Sequence, residues 1–333
     1  MKQGRPLVTA LAALVAVAGL QGTALVARPV LAQAWPAKPV RIVVPYAAGG
    51  ATDTVARAIG QRLSDQLGQP VVIDNRGGGG AVIGTEVVAR AAPDGYTVLL
   101  AVGPPHSTFP LFARPMPFDS VRDFTPVAIL ATLPQVVAVN ASVPVKTLRE
   151  LIEYGRSRPG KLSYGTTGVG SSQHLGGEML NAKAGIDMVH VAYKGGAPLL
   201  TDLLGGQIPV GVLVLSNVLP HVKTGKLQAL AVIEAHRADA SPETPTVAEA
   251  GLPGFAVPST WIGLLGPAGL PAPIVGRLQA ELATATVAPD VRSKLEAAGF
   301  QVKVSSSREF AEQLAASVDV YRGIVNAARI TLE

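Results

Sequence analysis

Two glycine-rich loops carry the residues best suited to holding a negatively charged group. The first, residues 45–53 (PYAAGGATD), lies between an apolar β-branched run and a helical pattern. Gly49 and Gly50 let the backbone approach a ligand closely, and the N–H groups of a helix start favour an anion. Thr52 and Asp53 are good helix-capping residues, so a plain strand-to-helix turn with a capping acid explains the pattern equally well.

The second loop, residues 164–174 (YGTTGVGSSQH), combines three glycines with four Ser or Thr hydroxyls. Backbone N–H groups and hydroxyls before a helix make a nest that binds anions. The loop is not a P-loop, because no Gly-Lys-Ser/Thr follows, and Gln173 stands where a dinucleotide-binding loop has glycine. The alternative is a loop of small residues packed beneath another segment.

Patterns typical of catalysis or metal binding are sparse. The chain has five histidines without metal-ligand spacing, and it has no cysteine to act as a nucleophile or metal ligand. Ser171 and His174 are three residues apart at a helix start, which suits capping better than activation of a nucleophile. We therefore expect a protein that is not an enzyme and carries neither a cofactor nor a metal.

The overall charge says little about partners. The chain has 333 residues, 48% hydrophobic and only 15% charged, with a formal charge of +5; soluble domains average about 25% charged residues. Lys2, Arg5 and Arg28 precede Ala34 and no acid does, so the rest of the chain has a charge of +2. Scattered basic residues and 5% aromatics argue against nucleic-acid binding.

The N-terminal segment has the layout of a secretory signal peptide. Basic Lys2 and Arg5 precede an uncharged apolar run over residues 8–20, and Ala32-Gln33-Ala34 forms a small-x-small cleavage pattern. We predict cleavage after Ala34, with an uncleaved anchor helix as the alternative. The run is short for a membrane span of about 20 residues.

Alternating strands and helices must position the two loops. Strand patterns over residues 40–44, 71–73 and 97–102 alternate with helical patterns over 55–67 and 83–91, which predicts a parallel sheet with helices on both faces. A further strand over 136–140 follows a Pro-rich connection. A second set of α/β units begins near residue 145, and three helices close the chain.

This order predicts two α/β domains behind the signal segment 1–34. Domain 1 is expected to comprise 35–139 plus 260–333, and domain 2 to comprise 140–259, with chain crossings near 140 and 259. Exported proteins with two such lobes generally hold a small ligand in the cleft between them, which is an argument from fold analogy.

The sequence resembles the receptor family of tripartite tricarboxylate transporters, also called Bug receptors. The resemblance covers nearly all of the chain after the signal segment, and each matching piece is short, but their number and order are specific. The matching segments are residues 35–41, 45–53, 75–76, 92–97, 123–127, 164–175, 193–195, 204–207 and 245–251.

The resemblance implies a two-lobed periplasmic binding protein of the type II, Venus flytrap class, α/β with parallel-rich sheets flanked by helices. Such receptors bind a small carboxylate and deliver it to membrane permease subunits. The first loop would contact the ligand through backbone groups and ordered water, and the second would hold a carboxylate through N–H and hydroxyl donors. The expected ligand contacts are Tyr46, Ala48, Gly50, Thr52, Asp53, His106, Thr166, Thr167, Gly168, Gly170, Ser171, Ser172 and Leu213.

One departure from the family pattern bears on the ligand. Relatives often carry an acid or amide in the strand at 210–214, where this chain has Leu213. An apolar residue there would leave an ammonium group without a partner, so we expect a carboxylate without a free amine. We also expect a periplasmic monomer. An orphan binding protein that serves a signalling partner, or an enzyme on the same scaffold, are the alternatives.

Overall fold

The computed structural model describes residues 35–112, 115–193, 195–328 and 330. The predicted signal segment 1–34 lies outside the described residues, and the chain from Pro36 onward forms one compact unit. Within the described residues, none of the helices combines the length and the apolar character that a membrane crossing requires.

The described residues form two sheets flanked by helices. The strands are β1 Val40–Val44, β2 Val71–Asn75, β3 Thr97–Val102, β4 Phe124–Leu133, β5 Gln135–Asn140, β6 Leu162–Thr166, β7 Met188–Ala192, β8 Val210–Val214, β9 Leu227–Val232, β10 Thr260–Pro267 and β11 Gln301–Val302. The α-helices are α1 Ala51–Leu67, α2 Val82–Ala89, α3 Pro105–Thr108, α4 Leu148–Arg156, α5 Ser172–Ala184, α6 Gly196–Leu204, α7 Leu215–Lys223, α8 Ala272–Val287, α9 Pro289–Ala297 and α10 Ser307–Ala328.

The first sheet has the strand order β11-β4-β10-β3-β1-β2. β1 pairs in parallel with β2 and β3, which confirms the parallel arrangement predicted for the first three strands. β10 returns from far along the chain and pairs antiparallel with β3 and β4. Strand β4 was not predicted, because Pro126 interrupts its pattern; the register shifts beside Pro126, and such an irregularity tolerates the missing N–H.

The second sheet has the order β7-β6-β8-β5-β9, with β6 parallel to β7 and β8. β5 pairs antiparallel with β8 and β9, so it belongs wholly to this sheet. The predicted boundary between residues 139 and 140 would separate β5 from its own sheet. The change of sheet instead occurs at Pro134, between the end of β4 and the start of β5.

Helix α10 contributes to the hydrophobic packing of both sheets. Phe310 and Leu314, in its first half, pack in the apolar cluster around the first sheet. Tyr321 and Ile324, two to three turns later, pack in the cluster of the second sheet. The predicted assignment of residues 260–333 to domain 1 therefore divides this helix from half of its packing partners.

Candidate functional site

Both predicted loops follow the carboxyl ends of parallel strands, where open α/β sheets bind ligands. The first loop follows β1 and the second follows β6. Ile262 of antiparallel β10 pairs with Val102, the last residue of β3, so Thr260 lies just beyond the carboxyl end of β3. The Ser172 hydroxyl, at the start of α5, lies 2.9 Å from the Thr260 hydroxyl. The second loop therefore adjoins the edge of the first sheet at which the first loop also lies.

In the first loop, both oxygens of the Asp53 carboxylate accept hydrogen bonds from protein donors. The Gly49 N–H donates to Oδ2 at 2.8 Å, as does Arg57 Nε at 2.8 Å, and Asn75 Nδ2 donates to Oδ1 at 3.1 Å. The Arg57 hydrogen bond, helped by those from Gly49 and Asn75, holds the pKa of Asp53 below its usual value against the opposing effect of burial. The buried Asp53 side chain therefore fixes the shape of the loop.

The N-terminus of α1 is open to a ligand. Its N-cap residue, Gly50, has extended backbone angles and supplies no side-chain cap for the first-turn N–H groups. Ala48, Gly50 and Ala51 are exposed, whereas Thr52 as a whole residue is only 3% exposed, so the open part of this turn ends before Thr52. Tyr46 is half-buried, and burial raises the pKa of its phenol, which keeps it neutral.

The hydroxyls of the second loop hold the loop together. Thr166 Oγ1 lies 2.7 Å from His190 Nε2, and Thr167 donates to Gln173 Oε1 at 3.1 Å. The Ser171 hydroxyl donates to the carbonyl of Gly168 at 2.7 Å. With the Ser172 hydroxyl beside Thr260, all four hydroxyls predicted as ligand donors have protein partners in this structure.

Two backbone donors expected in the nest also point into the protein. The Gly168 N–H donates to Thr166 Oγ1 at 3.2 Å, and the Gly170 N–H donates to His174 Nδ1 at 3.2 Å. The Ser171 hydroxyl accepts from the His174 N–H at 3.2 Å. The first-turn N–H groups of Ser172 and Gln173 are therefore the donors that α5 leaves for an anion.

A stacked histidine pair supports this loop. The rings of His174 and His190 are 4.0 Å apart between centroids and inclined by 24°. Burial lowers the pKa of each to about 4, so both are neutral at neutral pH. A neutral His174 can accept the Gly170 N–H at Nδ1, whereas a protonated ring would carry hydrogen there.

Sequence comparison identifies the family. The model of the tripartite tricarboxylate transporter family receptor matches residues 55–329. The chain belongs to this family. BugT of Bordetella pertussis is 34% identical over 304 residues, which cover 91% of this chain and 93% of BugT.

Two solved structures share the fold of this chain. An R. palustris protein solved with adipate is 35% identical with a TM-score of 0.76, and the match covers 90% of this chain and 100% of that one. MatC from Rhodopseudomonas palustris, solved with bound malate, is 34% identical with a TM-score of 0.72, covering 87% and 100% of the two chains. These matches confirm the two-lobed α/β fold and the family resemblance.

Two residues predicted to contact ligand lie in the core of this receptor. His106 is 2% exposed, with Nε2 2.8 Å from the carbonyl oxygen of Ser120 and its ring packed edge-on against Phe124 and Trp261. Leu213 is fully buried in an apolar cluster beneath α6. In this structure the surrounding aromatic and aliphatic side chains cover both residues, and their contact with a ligand stays a prediction.

A row of buried, hydrogen-bonded polar side chains beside the second loop has no recognisable pattern in the sequence. Gln173 Nε2 donates to Gln135 Oε1 at 2.8 Å, and the Gln135 N–H lies 3.0 and 3.2 Å from the two carboxyl oxygens of Glu234. Burial raises the pKa of Glu234 to about 8. The pairing of β5 with β9 brings Gln135 and Glu234 together across a long stretch of sequence, whereas Gln173 comes from the start of α5. Within the described part of the chain, no group of His, Asp and Glu side chains could hold a metal ion.

Proposed function

We propose that this protein is a periplasmic receptor that captures a small carboxylate at the N-termini of α1 and α5. The observation that carries the proposal is the open first turn of α1, where Gly50 leaves the N–H groups uncapped. A helix N-terminus carries a partial positive charge and aligned donors, both of which favour a carboxylate. Each charge-assisted hydrogen bond contributes about 1.5–3 kcal/mol.

The proposed set of ligand contacts is smaller than the set predicted from the sequence. At α1 they are the backbone of Ala48 and Gly50 and the N–H of the exposed Ala51, together with the half-buried Tyr46. At α5 they are the N–H groups of Ser172 and Gln173, with the hydroxyls of Thr167 and Ser171 available only if a ligand displaces their present partners. Arg57 is paired with Asp53, which favours recognition by backbone donors over an arginine clamp.

Adipate and malate, found in the two solved relatives, support a carboxylate ligand for this receptor. The expectation that the ligand lacks an amine rested on Leu213, and the burial of that residue removes its basis. We therefore extend the proposal to small carboxylates in general. Titration with amino acids measures whether a ligand with an amine also binds.

The family membership supports delivery of the ligand to the membrane permease of a tripartite tricarboxylate transporter. A periplasmic location is supported by a 38% identical solved relative described as a periplasmic transporter and by the signal-peptide pattern. We propose that the receptor acts as a monomer and without turnover of its ligand.

The test is isothermal titration with adipate, malate and amino acids, followed by Ala51→Pro. Ala51 is the first residue of α1, where proline is accepted and removes one N–H without breaking the helix. We expect affinity for the tightest carboxylate to fall about 10- to 150-fold, which corresponds to one charge-assisted bond. Ala51→Ser keeps the N–H and serves as control.

Binding of no carboxylate by the wild-type protein would refute the proposed function. Unchanged affinity in Ala51→Pro would refute the role of the α1 N-terminus.

A further inference from the structure

Gln135 occupies the point at which the chain leaves one sheet and enters the other. β4 of the first sheet ends at Leu133, and Gln135 opens β5 of the second sheet, with only Pro134 between them. The Gln135 side chain is fully buried. Its contacts therefore report directly on the relative placement of the two sheets.

The side-chain amide of Gln135 bridges the two sheets. Its Nε2 donates to the carbonyl of Leu133 in the first sheet at 2.7 Å. Its Oε1 accepts from Nε2 of Gln173, on helix α5, at 2.8 Å. Because the amide group is planar and short, a rotation of one sheet against the other cannot keep both bonds without moving Gln173.

The main chain of Gln135 is fixed to the second sheet. Its N–H donates to the buried carboxyl group of Glu234, and its carbonyl accepts from the N–H of Ile233 at 3.1 Å. Ile233 in turn accepts from Val257 at 2.9 Å, on the segment that returns to the first sheet. The two chain crossings are therefore linked through the backbone of Ile233.

Gln173 carries the connection to the ligand loop. It is the second residue of α5, and its Oε1 accepts from the Thr167 hydroxyl at 3.1 Å. The hydrogen bonds thus run from Leu133 through Gln135 and Gln173 to Thr167. Leaving a buried amide without its hydrogen-bond partner costs about 1–3 kcal/mol of free energy. This series of hydrogen bonds therefore stays intact or rearranges as a unit.

We infer that Gln135 and Gln173 are positioning residues that couple the angle between the two sheets to the shape of the second ligand loop. The inference rests on the proposed function, in which the start of α5 binds a carboxylate. A ligand shifts a conformational equilibrium only if it interacts differently with the two conformations of the protein. The hydrogen bonds that run from Leu133 to Thr167 provide that difference.

The experiment compares Gln135→Leu/Gln173→Leu with Asn140→Leu. The double substitution removes both partners of the central bond together, so it is expected to fold even if a single variant does not. Asn140 is a buried amide in the same strand as Gln135. Its Nδ2 donates to the carbonyl of Leu203, which is not part of the hydrogen-bond series through Gln135 and Gln173.

Two readouts are taken. Adipate affinity is measured by titration. The distance between lobes is measured without ligand by spin labels at Lys161→Cys and Ser293→Cys, both exposed positions in a chain that has no native cysteine. We expect the double variant to lose at least 10-fold in affinity and to broaden the distance distribution, while Asn140→Leu changes neither.

If the wild type binds adipate, an unchanged value in either readout for the double variant overturns the coupling. If the wild type binds neither adipate nor malate, the proposed function fails separately. The distance measurement then decides alone: a broadened distribution supports the control of the sheet angle by Gln135 and Gln173, and an unchanged distribution overturns it.

Discussion

Substitution of Glu234 by glutamine tests whether a buried proton sets the stability of this receptor above neutral pH. The Glu234 side chain is 5% exposed, and burial raises its pKa from 4.5 to about 8. Between pH 6.5 and 8 the folded protein keeps most of this proton, and half of it at pH 8, whereas the unfolded chain has already lost it. At this site the folded state thus binds more protons, and the contribution of Glu234 to the free energy of unfolding falls as pH rises.

The magnitude follows from linkage. One retained proton changes the free energy of unfolding by about 1.4 kcal/mol per pH unit, or about 2 kcal/mol between pH 6.5 and 8. For a chain of this length that is about 3 °C in Tm. Glutamine keeps an oxygen to accept the Gln135 N–H and carries no titrating proton, so Glu234→Gln should remove most of this decline.

The assay is thermal and urea denaturation at half-unit steps from pH 6.5 to 8. His106, His174 and His190, whose pKa values are lowered to about 4, add an opposite slope near pH 6.5, because the same side chains still lose protons there in the unfolded chain. This contribution fades above about pH 7.5 and is the same in wild type and Glu234→Gln, so the difference between the two slopes isolates Glu234. Glu243→Gln is the matched control, because Glu243 is exposed and its pKa is lowered.

An equal slope in Glu234→Gln and wild type would refute the reasoning, since the declining stability would then come from another group. A slope that disappears in Glu243→Gln would refute it as well.

Three further substitutions test packing. A Cβ at Gly177 would lie 2.1 Å from the ring of Tyr164, whereas one at Gly276 meets nothing within 4 Å. Gly177→Ala should therefore lower the free energy of unfolding by about 1–3 kcal/mol, as measured by urea denaturation. Gly276→Ala, its control, should raise it by up to about 1 kcal/mol. Equal effects would contradict the close contact. Leu213→Ala should destabilise by about 2–5 kcal/mol yet leave carboxylate affinity within twofold, whereas a residue that lines the ligand site would show the reverse.

Local sequence patterns determined most of the elements on which the ligand loops stand. The β-branched runs at β1 and β3 and the spacing of apolar residues in α1 predicted those elements within a few residues of their observed bounds. A parallel order puts successive strand ends at one edge of the sheet, so the position of the first loop followed from the same pattern. Composition and the spacing of histidines likewise argued against a metal site.

Tertiary structure decided which groups of those loops face outward. Asp53 and the four hydroxyls of the second loop have the chemistry of ligand contacts, yet in the structure each has a protein partner. Leu213 and His106 occupied positions that resemblance assigned to the site, and packing covers both of them. A residue type fixes what a side chain can bind, but the backbone path fixes where it points.

Tertiary structure also determines the contacts between segments that are distant in sequence. Pro126 interrupts the sequence pattern of β4, which is defined by its pairing with β10 and β11. The change of sheet at Pro134 is defined by the strands with which β5 pairs. Gln135 and Glu234 are separated by 99 positions in sequence and meet at 3.0 Å. Local propensity acts over a few residues, whereas sheet pairing and burial are set by the whole fold, so the sequence determined the elements and the fold determined their contacts.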